Sequence, residues 1–315
     1  MSRDNAKNEA LLKLSDVADF HLRLFDLIGE IQKGISSSLR ELATNRTDDY
    51  VELFHRTEVA LRSLYLTPAF LIPQEPHSEE VYYYHAAFIV HHWDSAYLIQ
   101  HSIIACLSGF YGAAYPELRV ALETFLNGVI YDCLAHPNFR NNAEKLRKIK
   151  GFRGSKSFKE LIDILGDRDL ENSVKILDLV IEEGIHPKAS PSRYIEQLKL
   201  WNLLGDQEES LLKECYDQLS VHVHRTVPSY SDVGVRIERD INWLSREPVI
   251  DEIIKFMKLL DTITETCSTI TLNLFLPTVT KFKDKLDKQK IMFLASTFEE
   301  LGNYLARERL ENLLK

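Results

Sequence analysis

The chain has 315 residues, 45% of them apolar and 27% charged, a composition that supports a packed core and excludes a disordered polar chain. Its 38 basic against 47 acidic residues leave a net charge of −9, which excludes a protein whose whole surface wraps nucleic acid or anionic lipid. Cys106, Cys133, Cys215 and Cys267 stand far apart with no Cys-x-x-Cys pair, so neither a disulfide framework nor a zinc knuckle is expected.

The amino terminus mixes both charges and has no leader-like apolar stretch, and no window reaches the ~18 apolar residues of a membrane span. A cytoplasmic protein with no membrane contact is therefore expected.

Only 12 glycines and 10 prolines interrupt the chain, and between them apolar residues recur at three- and four-residue spacing. That pattern predicts an all-α protein, a multi-helix bundle. In chain order, Leu11, Leu14, Val17, Leu24, Leu27, Ile28 and Ile31 form the stripe of a helix over residues 9–42. A second helix over 51–66, with Thr47 as its cap, is expected to stop at Thr67-Pro68, completing an N-terminal hairpin.

After the proline-marked link at 71–76, an aromatic-rich helix runs from Ser78 to about 108, and a fourth runs from near Pro116 to His136-Pro137. Leu118, Leu122, Phe125, Leu126, Val129, Ile130 and Leu134 mark the buried side of the fourth, and these two helices are expected at the centre of the fold. Shorter helices follow at 158–165, 170–183 and 191–204, then longer ones at 208–223 and 248–275, and an amphipathic terminal helix at 290–313 that docks on the bundle. The expected organisation is a hairpin at 1–72, a core bundle from 77–137 and 206–277, a helical insertion with a basic loop at 138–205, and the C-terminal helix in 278–315.

Two segments carry the candidate chemistry. Arg119 and Glu123 are four apart on one helical face among Leu118, Val120, Leu122 and Phe125, which places a charged pair at an apolar interface. Tyr216, Ser220 and His224 recur every four residues along a helix that ends before Pro228, with His224 near its carboxyl end.

The Arg119-x-x-x-Glu123 helix, followed about a hundred residues later by Tyr216-x-x-Leu219-Ser220-x-x-x-His224, resembles a family of prokaryotic helical proteins related to the HEPN (higher eukaryotes and prokaryotes nucleotide-binding) superfamily. The resemblance covers roughly residues 82–275 with a gap at the insertion. It implies a HEPN-like helical core, a homodimer, and a setting in defence or stress response. Active members of that superfamily cleave RNA without metal, using an arginine with a histidine four to six residues downstream. No arginine here has such a histidine. The ribonuclease reading therefore needs Arg119 and His224 to meet across the bundle, with Ser220 beside them, the histidine moving a proton and the arginine bracing a phosphate. The alternative, favoured by the residue types, is a buried polar network of Arg119, Glu123, Tyr216, Ser220 and His224 that fixes helix register, in a non-catalytic binding or regulatory module whose ligand is RNA or a partner protein.

A third reading is nucleic-acid binding. Lys145, Arg147, Lys148, Lys150, Arg153, Lys156 and Lys159 lie close together, interleaved with Phe152 and Phe158 and loosened by Gly151 and Gly154. Such a segment offers cations to phosphate and rings to bases. A second run, Lys281, Lys283, Lys285, Lys288 and Lys290, reads as a solvated face.

No metal or cofactor is expected. His222 and His224 point about 200° apart on a helix. His85 and His92 share a face without a carboxylate on that stripe, which reads as core histidines, and the Glu183–His186 arm sits at a glycine-containing helix end. Phosphate-binding loop, nucleophile-elbow and Rossmann patterns are absent from the sequence.

Overall fold

The computed structural model describes residues 47–135, 191–223 and 250–315, with isolated helical positions at 36, 40, 44, 174 and 177. Every described element is helical, and no strand occurs among the described residues. In chain order they are α1 (Thr47–Leu71), α2 (Ser78–Leu107), α3 (Tyr111–Ala135), α4 (Pro191–Leu200), α5 (Asp206–Val223), α6 (Ile250–Val279), a 3-10 segment (Thr280–Lys285), α7 (Lys288–Glu300) and α8 (Tyr304–Leu313). Of the helix expected at 9–42 only residues 36 and 40 are described, and of that expected at 170–183 only residues 174 and 177, all four of them helical; the helix expected at 158–165, the basic segment at 145–159, Glu183, His186 and His224 lie outside the described residues.

Helix α3 is the axis of the bundle. Leu118, Leu122, Phe125, Leu126, Val129, Ile130 and Leu134 are all buried, as their spacing requires, and α2 lies against them in the most extensive contact of the fold. The two helices approach closely where Gly128 meets His91: a Cβ on Gly128 would fall 2.5 Å from the His91 Cβ. Glycine is needed there because any side chain would push the helices apart. The second large contact, α1 on α6, is apolar with polar ties across it. The Arg56 guanidinium donates to Asp261 Oδ2 at 2.5 Å and to Glu265 Oε2 at 2.8 Å, and the hydroxyls of Ser63 and Ser268 lie 2.7 Å apart.

Three helices pass through prolines expected to end or begin them. Helix α1 continues past Pro68 to Leu71, α3 begins at Tyr111 ahead of Pro116, and α6 continues past Pro277 to Val279. In each case burial outweighs the lost backbone bond. Leu71 is buried beyond Pro68, Tyr111, Ala114 and Tyr115 are buried ahead of Pro116, and Thr278 and Val279 are buried beyond Pro277.

The expected terminal helix is two. Gly302, at φ +78°, takes the left-handed conformation that favours glycine. Its N–H donates to Glu299 O and that of Asn303 to Phe298 O, the paired bonds that close a helix end. Asn303 then caps α8 by accepting from the Ala306 N–H at 3.0 Å, while its Nδ2 donates to Thr269 on α6. The corner is thus fastened to the bundle. Helix α4 stops at Leu200, short of the expected 204, because Asn202 adopts φ 58° and turns the chain so that Trp201, Leu203 and Leu204 are buried.

Candidate functional site

Arg119 on α3 reaches Glu123 one turn along and Tyr216 on α5. Its Nε donates to Glu123 Oε1 at 2.8 Å, and its Nη2 donates to the Tyr216 hydroxyl at 2.8 Å. The Tyr216 O–H in turn donates to Glu123 Oε1 at 3.1 Å, closing a triangle, and the guanidinium carbon sits 5.0 Å from the centre of the Tyr216 ring. The spacing of four residues supplies the Arg119–Glu123 edge, and the packing of α5 on α3 supplies the other two.

The triangle is mostly shielded, with Tyr216 buried and Arg119 and Glu123 half-buried. Burial, with the Glu123 carboxylate adding to it, raises the Tyr216 phenol against the opposing pull of Arg119, so the hydroxyl keeps its proton. For Arg119, burial disfavours the charge, but Glu123 and Tyr216 more than offset that and raise it above the ordinary arginine value. The cluster therefore pairs one cation with one anion, and the phenol closes it.

Ser220, one turn beyond Tyr216, donates to the Tyr216 carbonyl at 2.7 Å, a bond within its own helix. His222 stacks flat on Tyr115, with ring centres 3.9 Å apart and planes 4° apart, and the Tyr115 hydroxyl lies 3.5 Å from Glu252 Oε2 on α6. Three helices, α3, α5 and α6, thus meet around Tyr115 and Tyr216.

A second polar cluster was not legible in the sequence as a cluster. His85 on α2 places Nδ1 2.6 Å from Asp132 Oδ2 on α3 and Nε2 3.0 Å from Thr278 Oγ1 on α6. The ring stacks on Phe275 at 4.1 Å, and all three polar side chains are fully buried. The backbone of α2 leaves helical values at His85, with φ −120° and ψ 20°. A hydroxyl, an imidazole and a carboxylate in sequence form the arrangement that activates a nucleophile when it faces a cleft. Here it joins three helices inside the core, where it sets their register. The matching carboxylate comes from a different helix, so the face of α2 alone could not reveal it. The available signal was Asp132 itself, an acid within the apolar run Val129-Ile-Tyr-Asp-Cys-Leu134.

His92, two turns from His85 on the same face, is buried against Phe88 and Phe125, and burial alone lowers it to about 4, so it is neutral at physiological pH. All four cysteines are free and buried. Burial raises their thiols, that of Cys215 to about 12, which makes them poor nucleophiles. Among the described residues no group of three or more histidines, cysteines and carboxylates is placed to hold a metal ion, and no helix is long and apolar enough to cross a membrane.

The second lysine run occupies the 3-10 segment and the start of α7, exposed as expected. Lys281 Nζ lies 5.1 Å from the Tyr84 ring centre and Lys290 Nζ 5.8 Å from that of Phe70, so two of these cations rest on aromatic faces.

Fold and site together define an all-α helical bundle joined through its core by small buried polar clusters. No family model matches the chain, and no curated protein or solved structure is significantly similar to it.

Proposed function

We propose that the chain is a non-catalytic binding or regulatory module built on a HEPN-like helical core. The observation that supports this reading is the closed triangle of Arg119, Glu123 and Tyr216. Nε and Nη2 of the guanidinium are turned onto neighbours, and the Glu123 carboxylate occupies the Nε donor. A phosphate that took the Nε and Nη2 donors of Arg119 would have to displace the Glu123 carboxylate and the Tyr216 hydroxyl from them. The same geometry suits a strut between α3 and α5. On this reading the chain works through the surfaces it presents, in a defence or stress-response setting.

The test is incubation of the purified protein with a mixed RNA pool in chelator, beside an Arg119→Ala, His224→Ala double variant, with thermal melts of both. Intact RNA from both proteins and a lowered Tm in the variant are expected. Cleavage by the parent that disappears in a variant as well folded as the parent would overturn the proposal in favour of a metal-independent ribonuclease. Retention of RNA that falls steeply with added salt would favour the nucleic-acid-binding reading centred on residues 145–159.

A further inference from the structure

The solvent side of α2 is not built like the surface of an isolated bundle. Tyr83 is 53% exposed, Val90 44%, Trp93 62%, Tyr97 60% and Ile104 61%. With the half-buried Ala86 and the exposed Gln100, these positions follow alternating steps of three and four residues, the spacing of a seam between two paired helices. The stripe runs over 22 residues from Tyr83 to Ile104, about 31 Å at the helical rise. From Val81 to Phe110 the chain carries a single fixed charge, Asp94. A surface helix ordinarily puts charged residues on its outer face. Here that face is aromatic and aliphatic.

We propose that this face is where two copies of the chain meet, α2 packed against α2 of the partner about a twofold axis passing near Trp93. The proposal rests on the binding reading above and names the surface and its occupant. Three observations select a second copy. The stripe extends about equally to either side of Trp93, so an antiparallel copy rotated about that point overlaps it along nearly its whole length, as an isologous interface requires. The face carries one fixed charge, Asp94, so apart from that residue and its mate a second copy meets no like-charge repulsion there despite a chain net charge of −9, and little on it would orient a charged partner. The area also suffices. Three aromatic and two aliphatic side chains at these exposures present roughly 500 Å² per copy, hence roughly 1,000 Å² in the pair, the size at which specific interfaces begin. The patch is also as large as the largest apolar patch on a typical monomer.

Trp93 and Tyr97 are the anchors on this reading, large rings near the centre of the interface with Tyr83 and Ile104 at its ends. The ring of Tyr97 lies tilted against that of His101, with ring centres 4.3 Å apart.

The experiment is light scattering coupled to size exclusion on the full chain, at micromolar and at tenfold higher concentration, beside a Trp93→Glu, Tyr97→Glu variant. A dimeric parent and a monomeric variant with unchanged far-UV dichroism are expected. An Asp94→Cys variant supplies an independent measurement, since a cysteine near the twofold axis faces its own copy while the four native cysteines are buried. Mild oxidation should convert it to a disulfide-linked dimer that the parent does not form. A monomeric parent at both concentrations overturns the proposal, whether the chain's own residues or an unrelated partner cover the face. So does a dimer that survives the two glutamates, or an Asp94→Cys protein that stays uncrosslinked. Should the double variant fail to fold, the cross-link decides. None of these outcomes depends on whether RNA is cleaved.

Discussion

Nδ1 of His85 lies 2.6 Å from Oδ2 of Asp132 across the interface of α2 and α3, with neither side chain reaching solvent. The pair sits beside Thr278 and under the ring of Phe275, so it links α2 and α3 to α6 at the point where the α2 backbone departs from helical geometry. Replacing Asp132 with alanine removes the partner of His85 Nδ1 in the core, while Nε2 keeps Thr278, and should cost about 1–3 kcal/mol of unfolding free energy. Asp132→Asn keeps the shape and an acceptor and should cost less. A His85→Leu, Asp132→Leu double variant should lose less than the two single variants together, because neither partner is then left alone. Denaturant unfolding of the parent, the two single leucine variants, their double variant, Asp132→Ala and Asp132→Asn measures this, and additive costs below about 1 kcal/mol each would remove the pair from any structural role.

His92 gives the protein a pH dependence of known sign. It is neutral in the fold down to about 4, whereas in the unfolded chain it takes a proton near 6.5. Between those values the unfolded state binds more protons than the folded one. Stability therefore falls as pH is lowered from about 6.5 to about 4, by on the order of 3 kcal/mol from this group, and its contribution is level above that window. A His92→Phe variant, which keeps an aromatic ring against Phe88 and Phe125, should show a flatter decline in Tm over the same range. Parallel pH profiles for the two proteins would mean that His92 titrates in the fold as it does in water.

Helix content and the buried face of α3 were legible in the sequence because both depend on spacing within one element. Leu118 to Leu134 are buried as their periodicity requires. The Arg119–Glu123 pair was legible for the same reason, and Tyr216 was singled out on its own helix. Three kinds of feature were not legible. Pro68, Pro116 and Pro277 sit inside helices because burial of residues on either side decides, and burial is a tertiary quantity. The pairing of His85 with Asp132 joins positions 47 residues apart on different helices, and periodicity along one helix carries no information about the other. The outward aromatic stripe of α2 was hidden by its composition: that helix is apolar nearly all round, so a sequence reading assigns every face to the core, and only the packing shows which one is left outside.

Gly128 should tolerate no side chain. Its Cβ position falls 2.5 Å from the His91 Cβ, a contact close to both backbones that rotation of a side chain cannot relieve. Gly128→Ala must move α3 away from α2, at about 1–3 kcal/mol, although the same change in an open helix would stabilise by roughly 1 kcal/mol through propensity. Gly112 provides the comparison, since a Cβ there meets nothing within 4 Å and Gly112→Ala should be neutral or stabilising. Thermal melts of both variants settle the point. A Gly128→Ala protein as stable as the parent would show that α2 and α3 are not in close contact at His91.

Tyr216→Phe isolates one vertex of the triangle. The ring remains in place beneath the Arg119 guanidinium, while the hydroxyl that accepts from Arg119 and donates to Glu123 is lost. Two hydrogen bonds to charged partners disappear at a buried position, but Arg119 and Glu123 keep their direct bond at 2.8 Å and neither charge is left unpaired. The expected cost is thus about 1–2 kcal/mol, well below that of removing a charged member. Arg119→Ala removes the cation that Glu123 accepts from, and Glu123→Gln removes the carboxylate that Arg119 Nε donates to, so both should cost more than Tyr216→Phe. If the triangle is a strut between α3 and α5, the order in stability, Tyr216→Phe above either charge variant, should be the same at low and high salt, because a shielded cluster is screened far less than a surface pair. Convergence of the three variants on the parent in high salt would place the cluster at the surface and reopen Arg119 as a binding residue.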